Sequence, residues 1–99
     1  MPTFSVSLRL PAIFDEAFFA LIPQHRTFIN RLIAEQVIQA YAITADRGRG
    51  WVVLNGEDEL AVRRIVESFP LYAFLEILEI DELFIFDIAA AQFPTISLN

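Results

Sequence analysis

Residues 4–10, Phe-Ser-Val-Ser-Leu-Arg-Leu, alternate strictly between apolar and polar positions. A period of two places Phe4, Val6, Leu8 and Leu10 on one face of a strand and Ser5, Ser7 and Arg9 on the other. Pro11 ends the run, and the period changes at Asp15. From there to about residue 35, Phe18, Leu21, Ile22, Phe28, Ile29, Leu32 and Ile33 recur at spacings of three and four, the stripe of an amphipathic helix. Asp15 and Glu16 lie in its first turn, where acids complement the helix dipole. Pro23 lacks an N–H and crowds the preceding turn, so it predicts a break: a short turn before it and the main helix after it.

Residues 37–45 read as a second strand and 51–54 as its return, with Asp46-Arg47-Gly48-Arg49-Gly50 as the turn and its glycines available for positive φ. Asp58 is placed to cap a second helix that runs from Glu59 to about residue 68. Ala61, Val62, Ile65, Val66 and Phe69 face inward on it, and Arg63, Arg64 and Glu67 face solvent. Pro70 stops this helix. The stretch from Leu71 through residue 86 is rich in Ile, Leu and Phe without Gly or Pro, and reads as one unusually long strand. Its length predicts that one end pairs within the subunit and the other reaches a second subunit. Residues 87–99 show no period and are too apolar for a free tail, so they are expected to pack on a neighbouring subunit.

The order strand, helix, strand, strand, helix, strand is that of a ferredoxin-like βαββαβ unit of the α+β class, a single domain over residues 1–99. Both helices then cover one face of an antiparallel sheet. The other face, with Trp51 and Val53, is left bare and asks for cover. Two such sheets placed face to face close a dimeric α+β barrel, so the expected partner is a second copy, in a homodimer or a larger homo-oligomer.

Composition sharpens this picture. A chain of 99 residues buries a modest core, yet 56% of its residues are hydrophobic. An oligomer interface or an apolar cavity absorbs that surplus. No run of about 18 uncharged apolar residues is available for a membrane span. No basic stretch precedes an apolar one at the N-terminus, so no secretory signal is expected. Without cysteine, disulfides and thiolate metal sites drop out, and a cytoplasmic setting is the default expectation. A net charge of −6, with Arg47 and Arg49 the only basic cluster outside the helices, speaks against a nucleic-acid partner.

Candidate chemistry is sparse. His25, the only histidine, falls on the buried stripe of the first helix. It is either a general acid–base at the mouth of a barrel or a hydrogen-bonded residue at the edge of the core. Arg9 and Ser7 point into whatever the bare face encloses: Arg9 is a natural anchor for a small-molecule carboxylate, or a partner of Glu76, Glu79 or Asp81 on the neighbouring strand. Tyr41, Gln39 and Trp51 are candidates to wall the same cavity. The last-strand spacing puts Glu76 and Glu82 on one face and Glu79 and Asp81 on the other unless a bulge intervenes. With one His, no Cys and no tight carboxylate cluster, no catalytic metal is expected.

Four stretches together resemble the muconolactone isomerase-like family, and more distantly the YCII-related proteins. They are Phe18-Phe19-Ala20-Leu21-Ile22-Pro23-Gln24-His25-Arg26, Asp46-Arg47 before Trp51, Phe69-Pro70-Leu71-Tyr72, and Glu79-Ile80-Asp81-Glu82-Leu83. The likeness spans residues 3–86 and is diffuse. It implies a face-to-face dimer and cofactor-free proton transfer within a small lactone or carboxylate, with His25 as the shuttle, Arg9 holding the carboxylate, and Tyr41 and Trp51 walling the pocket. The YCII pattern pairs a first-helix histidine with an aspartate just before the proline that comes after the second helix. His25 fits the first position, but Phe69 occupies the second, so that dyad is not intact. Near residues 74–83 the chain runs one residue longer than the isomerase pattern, which implies a bulge.

Overall fold

The computed structural model describes residues 1–89: β1 (Thr3–Arg9), α1 (Glu16–Ala34), β2 (Ile38–Ile43), β3 (Arg49–Asn55), α2 (Glu59–Glu67) and β4 (Glu76–Glu82), with a 3₁₀ turn at Tyr72–Phe74. The strands form one antiparallel sheet in the order β2-β3-β1-β4, so the fold is the ferredoxin-like α+β unit. Both helices lie on one side. Phe4, Val6, Leu8, Val52, Leu54 and Ile38 of the sheet meet Ile29 and Leu32 of α1, Val62 and Val66 of α2, and Phe69 in one buried cluster. No helix among the described residues is long and apolar enough to cross a membrane.

Three local expectations change, and one conditional expectation is met. Helix α1 runs unbroken through Pro23. Its buried residues, Phe18 before the proline and His25, Ile29 and Leu32 after it, form one stripe on one core, and their joint burial outweighs the roughly 3 kcal/mol that an interior proline costs. The β2–β3 turn places no glycine at positive φ; Arg47 takes that conformation instead, at φ 64°. The long strand beyond Pro70 is shorter than its composition suggested, because Leu71–Leu75 coil through the 3₁₀ turn and β4 covers only seven residues. Strand pairing decides that length: among the described residues β4 has only β1 to pair with. The bulge expected over residues 74–83 is present in β4. Ser7 pairs with Glu79 but Leu8 pairs with Ile77, so Leu78 is the extra residue and Glu76 lands on the same face as Glu79 and Asp81.

Both caps follow local chemistry. Asp15 accepts the Phe18 N–H at 2.9 Å, which makes it the cap of α1, and Asp58 accepts the Ala61 N–H at 2.8 Å. At the end of α1 the Val37 N–H bonds the Leu32 carbonyl and the Gln36 N–H bonds that of Ile33, a Schellman closure with Gln36 at φ 62° where glycine is usual. Most of the tail expected to pack on a neighbour, residues 90–99, lies outside the described residues.

Candidate functional site

The register of the sheet sorts the candidate residues onto its two sides. Tyr41 pairs with Val52 and Trp51 with Ala42, so neighbouring positions on β2 and β3 alternate between faces. Tyr41 points into the helix layer with Val6 and Val52. Trp51, Ser7 and Arg9 share the helix-free face. Tyr41 and Trp51 therefore do not wall one cavity within a subunit: the sheet stands between them.

On the helix side, His25 is 3% exposed and held at both ring nitrogens. The Leu71 N–H donates to Nδ1 at 3.4 Å, and Nε2 lies 2.9 Å from the Tyr41 hydroxyl. A backbone N–H can only donate, so Nδ1 carries the lone pair and Nε2–H donates to Tyr41. The Tyr41 hydroxyl keeps its own proton for another acceptor. Phe69 packs edge-on to the imidazole with centroids 5.6 Å apart, so this ring meets an aromatic edge and no carboxylate there. Burial, seconded by the Arg26 guanidinium, lowers the His25 pKa to about 4. Burial raises that of Tyr41. At neutral pH the pair is uncharged, pinning α1, β2 and the segment after α2 together.

The helix-free face is built from short cross-strand rows. Ala42, Trp51, Ser7 and Glu79 make one row; Ala40, Val53, Ser5 and Asp81 make the next; Arg49, Arg9 and Glu76 make a third. Trp51 is 40% exposed at the centre. Beside it the Ser7 hydroxyl is shielded from water without a hydrogen-bond partner, the one such buried side-chain atom among the described residues. Arg9 stands opposite Arg49 and reaches Glu76 at 3.0 Å, while Arg49 lies over the Trp51 ring at 5.6 Å. Both members of the Arg9–Glu76 pair are more than half exposed, so solvent screening keeps its contribution small. The arrangement offers a central aromatic plate, a hydroxyl that can give or accept, and a guanidinium at the rim.

Sequence reasoning placed Ser7, Arg9 and Trp51 on one face and His25 on the buried stripe, and the structure does the same. It missed Ala40 and Ala42, whose small side chains leave the Trp51 plate open on its β2 side; their alternation with Tyr41 and Ile43 carried the signal. It separated Glu76 from Glu79 and Asp81 unless a bulge intervened, and the bulge at Leu78 brings the three to one face. No family model matches the chain, and no curated protein matches it in sequence.

Proposed function

We propose that two copies of this chain pair through their helix-free faces, closing a dimeric α+β barrel of the muconolactone isomerase-like kind that holds a small carboxylate or lactone between its sheets. What supports this reading is Ser7 beside Trp51: a water-shielded hydroxyl with no hydrogen-bond partner among the described residues, next to an indole left 40% exposed. Both groups gain from a second surface, one a hydrogen bond and the other burial. Arg9 at the rim supplies the charge for a carboxylate, without a cofactor. Sedimentation velocity tests it. The wild-type chain should sediment as a dimer or larger assembly at about 10 μM, and Trp51→Glu, which sets a charge in the middle of the joint, should sediment as a folded monomer. A well-folded wild-type monomer at that concentration overturns the reading.

A second reading, proton transfer within a lactone, is favoured by the 2.9 Å His25–Tyr41 bond. Because His25 is enclosed, the group that meets substrate in this reading is the Tyr41 hydroxyl at the β2 edge, with His25 as its positioning residue. Tyr41→Phe should then cut turnover of a small unsaturated lactone by about 100-fold or more. Unchanged turnover removes the pair from the chemistry.

A further inference from the structure

Away from the pairing face, at the end of the sheet where β1 leads into α1, a groove of about 330 Å³ runs between the loop after β1 and the β2–β3 turn. Its floor is apolar. Pro11, Phe14 and Phe19 line it, with Phe14 stacked on Phe18 at 4.0 Å and edge-on to Phe19 at 6.0 Å. Phe19 is 56% exposed, an unusual degree for a phenylalanine on a helix that has a core to enter. The opposite wall is the turn: Asp46, Arg47 and Gly48.

That wall is held in place by its own hydrogen bonds. Asp46 Oδ1 accepts from the Thr44 hydroxyl at 2.6 Å and from the Gly48 N–H at 2.9 Å. The Arg47 N–H bonds the Thr44 carbonyl, and the Leu10 N–H reaches across from β1 to the Gly48 carbonyl, each at 2.9 Å. Arg47 is fixed at φ 64°, a conformation glycine adopts freely, although a glycine stands one residue later with an ordinary φ. The left-handed site is thus given to a long cation. Among the described residues Arg47 enters none of the ion pairs, and both hydrogen bonds to the Asp46 side chain fall on Oδ1, which leaves Oδ2 for another donor. The same two donors hold the Asp46 pKa below the ordinary carboxylate value, so the group is ionised at neutral pH.

An acid and a base on successive residues of one hydrogen-bonded turn, both lining a groove whose other wall is aromatic, suit a zwitterion with an apolar tail. We infer that this groove binds a free α-amino acid with an aromatic or large aliphatic side chain, its carboxylate on the Arg47 guanidinium, its ammonium on Asp46 Oδ2 and its side chain on Phe14 and Phe19. The turn brings one acid and one base to the same groove, and neither charge alone would select a zwitterion.

Calorimetric titration of the full chain with L-phenylalanine, alongside phenylacetate and phenethylamine, tests the assignment, with amide chemical shifts locating the site. L-Phenylalanine should bind with a Kd on the order of 1 mM or tighter, shifting the Gly48 amide, and each half-ligand should bind about tenfold more weakly. Arg47→Gly, which suits the left-handed backbone, and Asp46→Asn, which keeps the Oδ1 acceptor, should each weaken binding about tenfold with the fold intact. The assignment is overturned if L-phenylalanine shows no saturable binding, if phenylacetate binds equally well, or if Arg47→Gly binds like wild type. Sedimentation of the same variants should be unchanged, so loss of this site and loss of the pairing face give separate readouts.

Discussion

Val52 and Trp51 are neighbours on one strand and live in different worlds. Val52, with Val6 and Leu54, is wholly shielded by the helices, and His25, the one polar side chain buried among the helices in the described residues, has a partner at each ring nitrogen. Trp51 lies on the other face with an unpaired serine hydroxyl on one side and a bare alanine on the other. The helix-covered face is complete within the subunit. The opposite face leaves Trp51 40% exposed, and the contrast shows how strand alternation divides one stretch of residues between a buried core and an uncovered surface.

The largest effect belongs to the complete face. Leu54→Ala should cost about 3 kcal/mol in urea unfolding, since Leu54 is fully buried and the surrounding strands cannot close the void. A loss below about 1 kcal/mol would mean that this face is not where stability resides. Nearly as large is the acid response of His25. Its folded pKa, about 4, lies below the unfolded value near 6.5, so protons bind the unfolded chain more tightly. The stability this group contributes is full above pH 6.5 and is lost as pH falls from 6.5 towards 4, in total about 3 kcal/mol. His25→Gln should flatten that slope; an unchanged profile would sever His25 from it.

Smaller effects mark the incomplete face. Trp51→Ala should change subunit stability by no more than about 1 kcal/mol when measured at high dilution, while association at higher concentration falls sharply. An equal loss under both conditions would make Trp51 part of the subunit core and erase the contrast. Smallest is Arg9→Met. Removing the exposed bond to Glu76 should shift unfolding by about 0.5 kcal/mol or less, and salt should abolish the difference.

Much of the fold was legible in the chain because its causes are local. The alternation of residues 4–10, the stripe of α1 and the Asp58 cap each depend on spacing within a few residues, and the structure reproduces them, except that Ile33 at the end of the α1 stripe is exposed. The readings that changed depend on distant groups. Pro23 promised a break, but residues on both sides of it share a core that only the assembled sheet provides. The run beyond Pro70 has strand composition throughout, yet only its central part finds hydrogen-bond partners on β1. The turn glycines offered positive φ, and the network joining Thr44, Asp46 and Gly48 gave that conformation to Arg47.

The candidate site divides along the same line. The sequence alone determined which residues share a strand face, because a period of two comes from backbone geometry whatever the surroundings; Ser7 and Arg9 on the side away from the helices, and His25 on the inward stripe, needed nothing more. Only the tertiary structure decided that Tyr41 turns to His25 and away from Trp51, that Glu76 joins the acids beyond the bulge, and that Phe14 and Phe19 stand across a groove from Asp46 and Arg47. Each of those facts joins residues far apart in the chain, and the register and packing that bring them together come from the whole sheet finding one arrangement that buries its apolar side.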